Sequence, residues 1–272
     1  MIFVRDKGRL CNNILQYGHL YAWGREHGRG TISMRFAYKY QYFHICDTPG
    51  HCLATYLLAK AAARWGIIPT VTFHEKDADT TPQERQMLAH RWLVAEGWYA
   101  RWYDLFLKYK EDILRLFAFK ETVTRPVDRF LAQQPPSDVR LGVHIRRGDY
   151  RAWYDGRFFF SDEQYLSVIR QFIGLRAGQR IHVFICGNDP SLDRDFFTSR
   201  LAGSARVSFP DGNPGEDLCL LSRCDWLIGP PSTFTLVASM YRDIPLYWMT
   251  DAGQSLTDAS FDRFDRLFRN IL

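Results

Sequence analysis

Val139-Arg140-Leu141-Gly142-Val143-His144-Ile145, running straight into Arg146-Arg147-Gly148-Asp149-Tyr150, is the stretch whose reading decides the fold. Its first seven residues are a short, largely apolar run that ends in a glycine-bearing turn. That pattern suits a strand buried on both faces. Working outward, residues 162–173 read as a helix, 181–186 as a strand, 217–222 as a short helix and 226–228 as a strand. Residues 234–241 then read as a helix and 245–248 as a strand. Strands alternating with helices at this spacing predict a mostly parallel, Rossmann-like sheet. Phe261, Phe264, Leu267, Phe268 and Ile271 give the tail one apolar helical face.

Toward the N-terminus the same grammar recurs. Residues 2–5 read as a strand, Asp6-Lys7-Gly8-Arg9 as a turn and 12–26 as a helix. A second helix is expected over 53–65 and a second strand over 67–73. Residues 82–119, with Leu, Trp and Tyr at spacings of three and four, read as helical with a break at Gly97. Gln133-Gln134-Pro135-Pro136-Ser137-Asp138 punctuates the chain. It predicts two α/β domains, residues 1–134 and 135–272.

Composition sets the outer limits. The chain has 272 residues, 46% hydrophobic and 15% aromatic, enough for one large core or two medium ones. Most of the rings are expected in the core, with some over a sugar. The net charge of +5 suits an anionic substrate or a membrane-surface approach. No basic run suggests a nucleic-acid tail. Six scattered cysteines read as buried thiols in a reducing compartment. Met1 leads directly into the first strand without a signal-peptide pattern, and no apolar stretch reaches the ~20 residues of a membrane span. These features predict a soluble, cytoplasmic protein whose membrane contact, if any, is peripheral at the inner membrane.

Ligands of open parallel sheets bind beyond the carboxyl ends of the strands. His144 and Arg146 are two apart and share a face, with Arg146 at the strand end. A guanidinium there grips a diphosphate at two points and stays charged at any working pH. As a nucleotide sugar loses its sugar, charge grows on the departing phosphate, and a fixed cation aimed there stabilises the transition state. Taken alone, R-R-x-D reads more readily as a surface ion-pair cluster. Its place at the end of an apolar strand favours an anion site without identifying a sugar.

His144-Ile145-Arg146-Arg147-Gly148-Asp149-Tyr150 resembles the H-x-R-R-x-D signature of α1,2- and α1,6-fucosyltransferases and protein O-fucosyltransferases. Residues Gly8 to Tyr17 (GRLCNNILQY) are similar to the G-x-L-G-N-Q-x-x-Q-Y block of bacterial α1,2-fucosyltransferases, the glycosyltransferase family 11-like group. Asp217 to Asp225 (DLCLLSRCD), with Ile228 and Ser232-Thr233-Phe234, resembles that group's D-x-x-L-M-S-x-C block. Asn188-Asp189-Pro190-Ser191 is similar to a D-D-P-S turn. The blocks stand in family order over residues 2 to about 248.

The resemblance implies a GT-B-like fold, two Rossmann-like domains facing a cleft. It implies an inverting transfer of fucose from GDP-fucose to a galactose-containing glycan, in α1,2 linkage and for a bacterial surface polysaccharide, without a metal or other cofactor. Transfer in another linkage or to a protein is the alternative, and a GDP- or glycan-binding module without catalysis is the reading from a different class. By position, Arg146 would grip the β-phosphate, with Arg147 and Asp149 assisting. His144, Asp189, Asp217, Ser232, Thr233 and Phe234 would hold the nucleotide, and Asn12 and Asn13 would lie on the acceptor side. Cys11 stands where the family has glycine, which implies a changed turn, and Asn13 stands for glutamine. Asp149 and Asp155 are candidate bases, each equally suited to orienting an arginine. Asp77-Ala78-Asp79 matches a metal-binding D-x-D but sits in a loop before a helix cap. His44, Cys46, His51 and Cys52 fit no standard zinc spacing and read as packed side chains.

Overall fold

The computed structural model describes residues 1–35, 40–76, 78–187, 189 and 191–271, which form two compact units, 1–120 and 121–272. The division falls ahead of the proline-rich punctuation at 133–138. Residues 121–132 form a helix that packs within the second unit, so the Pro-Pro turn lies inside that unit.

Unit 1 holds a parallel four-stranded sheet of β1 (Ile2–Arg5), β2 (Thr31–Ser33), β3 (Thr70–Thr72) and β4 (Leu93–Glu96), in the order β2-β1-β4-β3. Its helices are α1 (Leu10–Glu26), α2 (Leu53–Arg64), α3 (Thr81–Ala89), α4 (Tyr103–Lys108) and α5 (Lys110–Leu116). The expected long helical stretch over 82–119 is therefore interrupted by a strand, and β4 is central to the sheet. Leu93, Val94 and Ala95 are fully buried. A three-residue apolar run buried on both faces carries no alternation to distinguish it from helix. Gly97, at φ +122°, ends the strand, and a Cβ there would stand 2.2 Å from the Phe73 carbonyl oxygen. The aromatics mostly fill the core, as expected: Trp23 is fully buried, and its indole and that of Trp102 each donate to Glu84 at 3.0 Å.

Unit 2 holds a parallel five-stranded sheet of β5 (Val139–Ile145), β6 (Ile181–Gly187), β7 (Arg206–Ser208), β8 (Trp226–Gly229) and β9 (Leu246–Trp248). The order β7-β6-β5-β8-β9 makes β5 the central strand and puts a switch point beside it. The helices are α6 (Glu121–Ala132), α7 (Asp162–Leu175), α8 (Arg194–Leu201), α9 (Pro214–Leu221), α10 (Thr233–Met240) and α11 (Phe264–Phe268). Only α11 remains of the expected longer C-terminal helix; Phe264 and Phe268 are buried and stacked at 4.8 Å.

Side-chain alternation along β5 sets the layers. Leu141, Val143 and Ile145 enter the core formed with Tyr165, Val168 and Ile169 of α7. Gly142 and His144 face the other way, toward α9 and α10. A Cβ on Gly142 would lie 2.7 Å from Leu221 and Leu227 side chains, so any larger residue would push those leucines aside.

Candidate functional site

The alternation that builds the β5 core continues past the strand end and separates the two arginines. Arg146 follows His144 to the α10 face. Its Nε and Nη2 donate to the two carboxylate oxygens of Asp149 at 3.3 and 2.9 Å, and Nη1 reaches Ser232 Oγ at 3.4 Å. The guanidinium also lies 4.8 Å from the Tyr150 ring, whose hydroxyl donates to the Pro231 carbonyl. Two walls and a two-point carboxylate thus fix the cation at the end of the central strand.

Arg147 goes to the opposite face with Ile145. Its Nε donates to the Phe160 carbonyl at 3.0 Å and Nη2 to Asp162 at 2.5 Å, while Nη1 lies 3.6 Å from Asp189. It is buried, with every guanidinium nitrogen engaged by the protein. Arg147 therefore ties the strand end to the first turn of α7 and to the turn after β6. Asp162 sits there because Ser161 caps α7 in a box with Gln164.

The residues that the family blocks single out in this unit gather around the same strand ends. His144 is buried and stacks on Phe234 at 4.8 Å, and its Nδ1 finds no partner among the described residues. Burial, and then the Arg146 charge, push the ring down to about 3, so it is neutral at working pH. Cys186 pairs with His144 across β5 and β6, and the Asp217 charge acts on that thiol. Asp217 Oδ1 is buried without a partner among the described residues, and its carboxyl is pushed up to about 7 by burial, then by Glu216 and Asp211. Asp189 accepts from Ser191 N and Oγ at 2.9 and 2.6 Å; these bonds hold its carboxyl below the usual range. Its neighbours Asn188 and Pro190 lie outside the described residues. Ser232 caps α10, accepting from Phe234 N at 3.2 Å, with Thr233 as the first helical residue. Peptide N–H groups at such a helix start face an anion favourably.

In the turn ahead of α1 the positive φ belongs to Gly8, at +99°. Cys11 is buried inside α1, which begins at Leu10, so the cysteine in the glycine position demands no unusual backbone. Asn13 is fully buried and its Nδ2 donates to the Gly8 carbonyl at 3.4 Å. Asn12 is half-buried beside Gly8. Gln16 clamps the turn through both atoms of its amide, donating to Lys7 O at 2.6 Å and accepting from Lys7 N at 3.2 Å.

Over most of its length the chain is similar to galactoside α(1,2)-fucosyltransferases. It is 25% identical over 265 residues to galactoside alpha-(1,2)-fucosyltransferase 2 of Gorilla gorilla gorilla, covering 93% of this chain and 72% of the relative. It is 25% identical over 254 residues to galactoside 2-alpha-L-fucosyltransferase Sec1 of Mus musculus, covering 88% of this chain and 64% of that one. No protein-family model matches the sequence. Among solved structures, a mutant of Arabidopsis thaliana FUT1 in complex with GDP superposes with a TM-score of 0.66 at 11% identity, over 96% of this chain and 73% of that one. The NodZ alpha-1,6-fucosyltransferase soaked with GDP-fucose superposes with a TM-score of 0.57 at 14% identity, over 93% and 97%. The fold is GT-B-like, two parallel α/β sheets, as the signature blocks imply.

Other sequence candidates resolve into local structure. Asp155 is exposed, at φ +53° beside Tyr154 at +48°. Asp79 accepts from Thr81 N and Oγ1 at 2.9 and 2.6 Å, at the start of α3, while Asp77 lies outside the described residues. His51 is held by Ser33 N and Thr48 Oγ1, and His44 by Asp47. No group of metal-ligating side chains occurs among the described residues. Cys11, Cys186, Cys219 and Cys224 are buried thiols, whereas Cys52 is exposed.

Sequence reasoning missed Asp162 and Tyr150. Asp162 had a signal, an acidic first-turn residue after Ser161. Tyr150 had none beyond its place in the motif.

Proposed function

We propose that this chain is an inverting, metal-independent glycosyltransferase that moves L-fucose from GDP-β-L-fucose to a hydroxyl of a galactose-containing glycan, in α1,2 linkage, with a bacterial surface polysaccharide as the acceptor class. The observation that carries this reading is the Arg146 guanidinium, held at the end of β5 by Asp149 and Ser232. The similarity to galactoside α(1,2)-fucosyltransferases supports the reaction and acceptor class.

The acceptor oxygen attacks the anomeric carbon from the face opposite GDP. The new C–O bond forms as the bond to the β-phosphate oxygen breaks, and the electron pair stays on GDP. The acceptor hydroxyl gives up its proton. Inversion turns the β-linked donor into an α-fucoside. Arg146 meets the charge that grows on the leaving phosphate, together with the N–H groups at the start of α10. A fixed guanidinium supplies there what a divalent ion supplies elsewhere. Asp149, with both oxygens on Arg146, is a positioning residue, and Arg147 holds Asp189 and the β5 end in place. Asp217 Oδ1 and His144 Nδ1 are buried polar atoms whose missing partners a guanine or ribose would provide. Asn12 and Asn13 belong to the unit assigned to the acceptor.

An array of galactose-terminated oligosaccharides, with the product linkage read by NMR, tests the acceptor half. We expect α1,2-fucosylated galactose. Transfer only to a protein hydroxyl, or in another linkage, overturns it.

A further inference from the structure

Helix α2 is built inside out. Its inward side is small: Ala59 is buried, and Ala62, Ala63 and Tyr56 pack with it against Phe3, Met34, Ile68 and Val94 of unit 1. The large apolar residues point to solvent. Leu57 is 51% exposed, Leu58 72%, Trp65 just after the helix 74%, and Ile67 69%. A surface helix of a globular unit places its leucines on the sheet and its small or polar residues outward. Exposed apolar residues gathered on one element mark a surface that is covered in use.

The charges beside this face say what covers it. The helix sequence LATYLLAKAAAR contains no acidic residue, and its two cations, Lys60 and Arg64, are one turn apart. At 100° per residue they fall next to Leu53 and Leu57, along one edge of the apolar face. They also line a hollow of about 390 Å³, together with Arg5, Arg35 and Tyr56. Arg5 is paired with Glu96, and Arg35 donates to the Asp6 carbonyl. Lys60 lies 5.6 Å over the Tyr56 ring. Leucine and tryptophan on one face with lysine and arginine at its edge is the pattern of a helix lying in a bilayer interface. The long basic side chains reach up to phosphate while their stems cover apolar surface. A second copy of this chain fits less well. The helix offers no acidic residue for a copy's Lys60 and Arg64, and lysine is depleted from interface cores.

We propose that the outward face of α2, with Leu57, Leu58 and Trp65 buried among acyl chains and Lys60 and Arg64 on lipid phosphates, docks this protein on an anionic bilayer. No helix among the described residues is long and apolar enough to cross a membrane, so the attachment is one of lying on the surface. It stands independently of the donor and acceptor assignments.

The test is co-sedimentation of the full chain with vesicles of phosphatidylcholine, with and without phosphatidylglycerol. We expect binding to the anionic vesicles, weakened by salt. Lys60→Gln/Arg64→Gln should weaken it roughly 30-fold, from ~1 kcal/mol for each basic residue near the surface. Leu58→Glu/Trp65→Glu should abolish it. Because these side chains are exposed, both variants should keep the wild-type melting temperature, and the glutamine pair remains informative if the glutamate pair does not fold. Equal pelleting of wild type and both variants overturns the proposal. So does a wild type that ignores vesicles but sediments as a dimer that Leu58→Glu/Trp65→Glu splits.

Discussion

Arg146 and Asp149 form a two-point ion pair, Nε to Oδ1 at 3.3 Å and Nη2 to Oδ2 at 2.9 Å, leaving Nη1 on a long contact to Ser232. The carboxylate aims the guanidinium by using one edge of it, and the remaining edge faces the start of α10. Aim and charge are thus separable by mutation. Arg146→Ala removes the charge and should lower kcat by about 10²–10³, in line with loss of one preorganised transition-state donor. The melting temperature should fall only modestly, because the Asp149 carboxylate left behind is 41% exposed and is solvated by water. Near-normal turnover would remove Arg146 from the chemistry.

Asp149→Asn separates orienting from proton transfer. The amide keeps one acceptor for Arg146 but cannot take a proton. We expect a kcat loss of about tenfold and an unchanged pH–rate profile, smaller than the 10²–10⁴ that general-base catalysis contributes. A larger loss with disappearance of the acid limb would make Asp149 the base.

Arg147 should behave differently from its neighbour. Truncating one partner of a buried pair leaves the other charge uncompensated, at a cost of about 3–5 kcal/mol. Arg147→Ala strands Asp162 and removes the contact to Asp189. A clear fall in urea midpoint is expected along with lost activity, where Arg146→Ala loses activity alone.

Under the proposed donor assignment, Asp217 links nucleotide binding to pH. Its carboxyl is pushed up to about 7 in the folded chain, whereas an unfolded aspartate titrates near about 3.9. Folding therefore disfavours its ionised form. The penalty is absent below about pH 4, grows between the two values and is complete above about pH 7. Asp217→Asn removes it, so urea melts should show a gain on the order of 2–4 kcal/mol at about pH 8 that vanishes near pH 4. GDP affinity, which uses the ionised carboxylate as acceptor, should fall in the variant. In the wild type, affinity should rise as pH passes upward through about 7. His144, neutral through this range, adds no second step.

At Gly8 the backbone conformation itself is under test. Its φ is +99°, and an added Cβ would lie 2.9 Å from Asn12 Nδ2. Gly8→Ala should cost about 1 kcal/mol or more in a thermal melt. It should also raise the acceptor KM more than the donor KM, because Asn12 is the side chain displaced.

Several of these features were legible in the sequence because they are local. β5 could be read from its apolar run, and Arg146 and His144 shared a face by simple alternation. The family blocks then supplied nucleotide roles that no single side chain implies. β4 was hidden, since Leu93-Val94-Ala95 is buried on both faces and sits between helices, so its pattern blends into theirs. The different employment of Arg146 and Arg147 was also hidden. It depends on Asp162 and Ser232, which folding brings to opposite sides of β5. The cysteine in place of glycine looked like a change of turn, but the turn's left-handed residue is Gly8, and position 11 is ordinary helix.

The central claim is that Arg146 and its neighbours hold the diphosphate of GDP-fucose without a metal. The most direct measurement is the rate of nucleotide release from a set of nucleotide sugars, with a galactoside acceptor and EDTA present, for wild type and Arg146→Ala. We expect GDP release from GDP-fucose alone, undiminished by EDTA and lost in the variant. Preference for a UDP- or CMP-sugar, or a strict requirement for Mn²⁺, would contradict it.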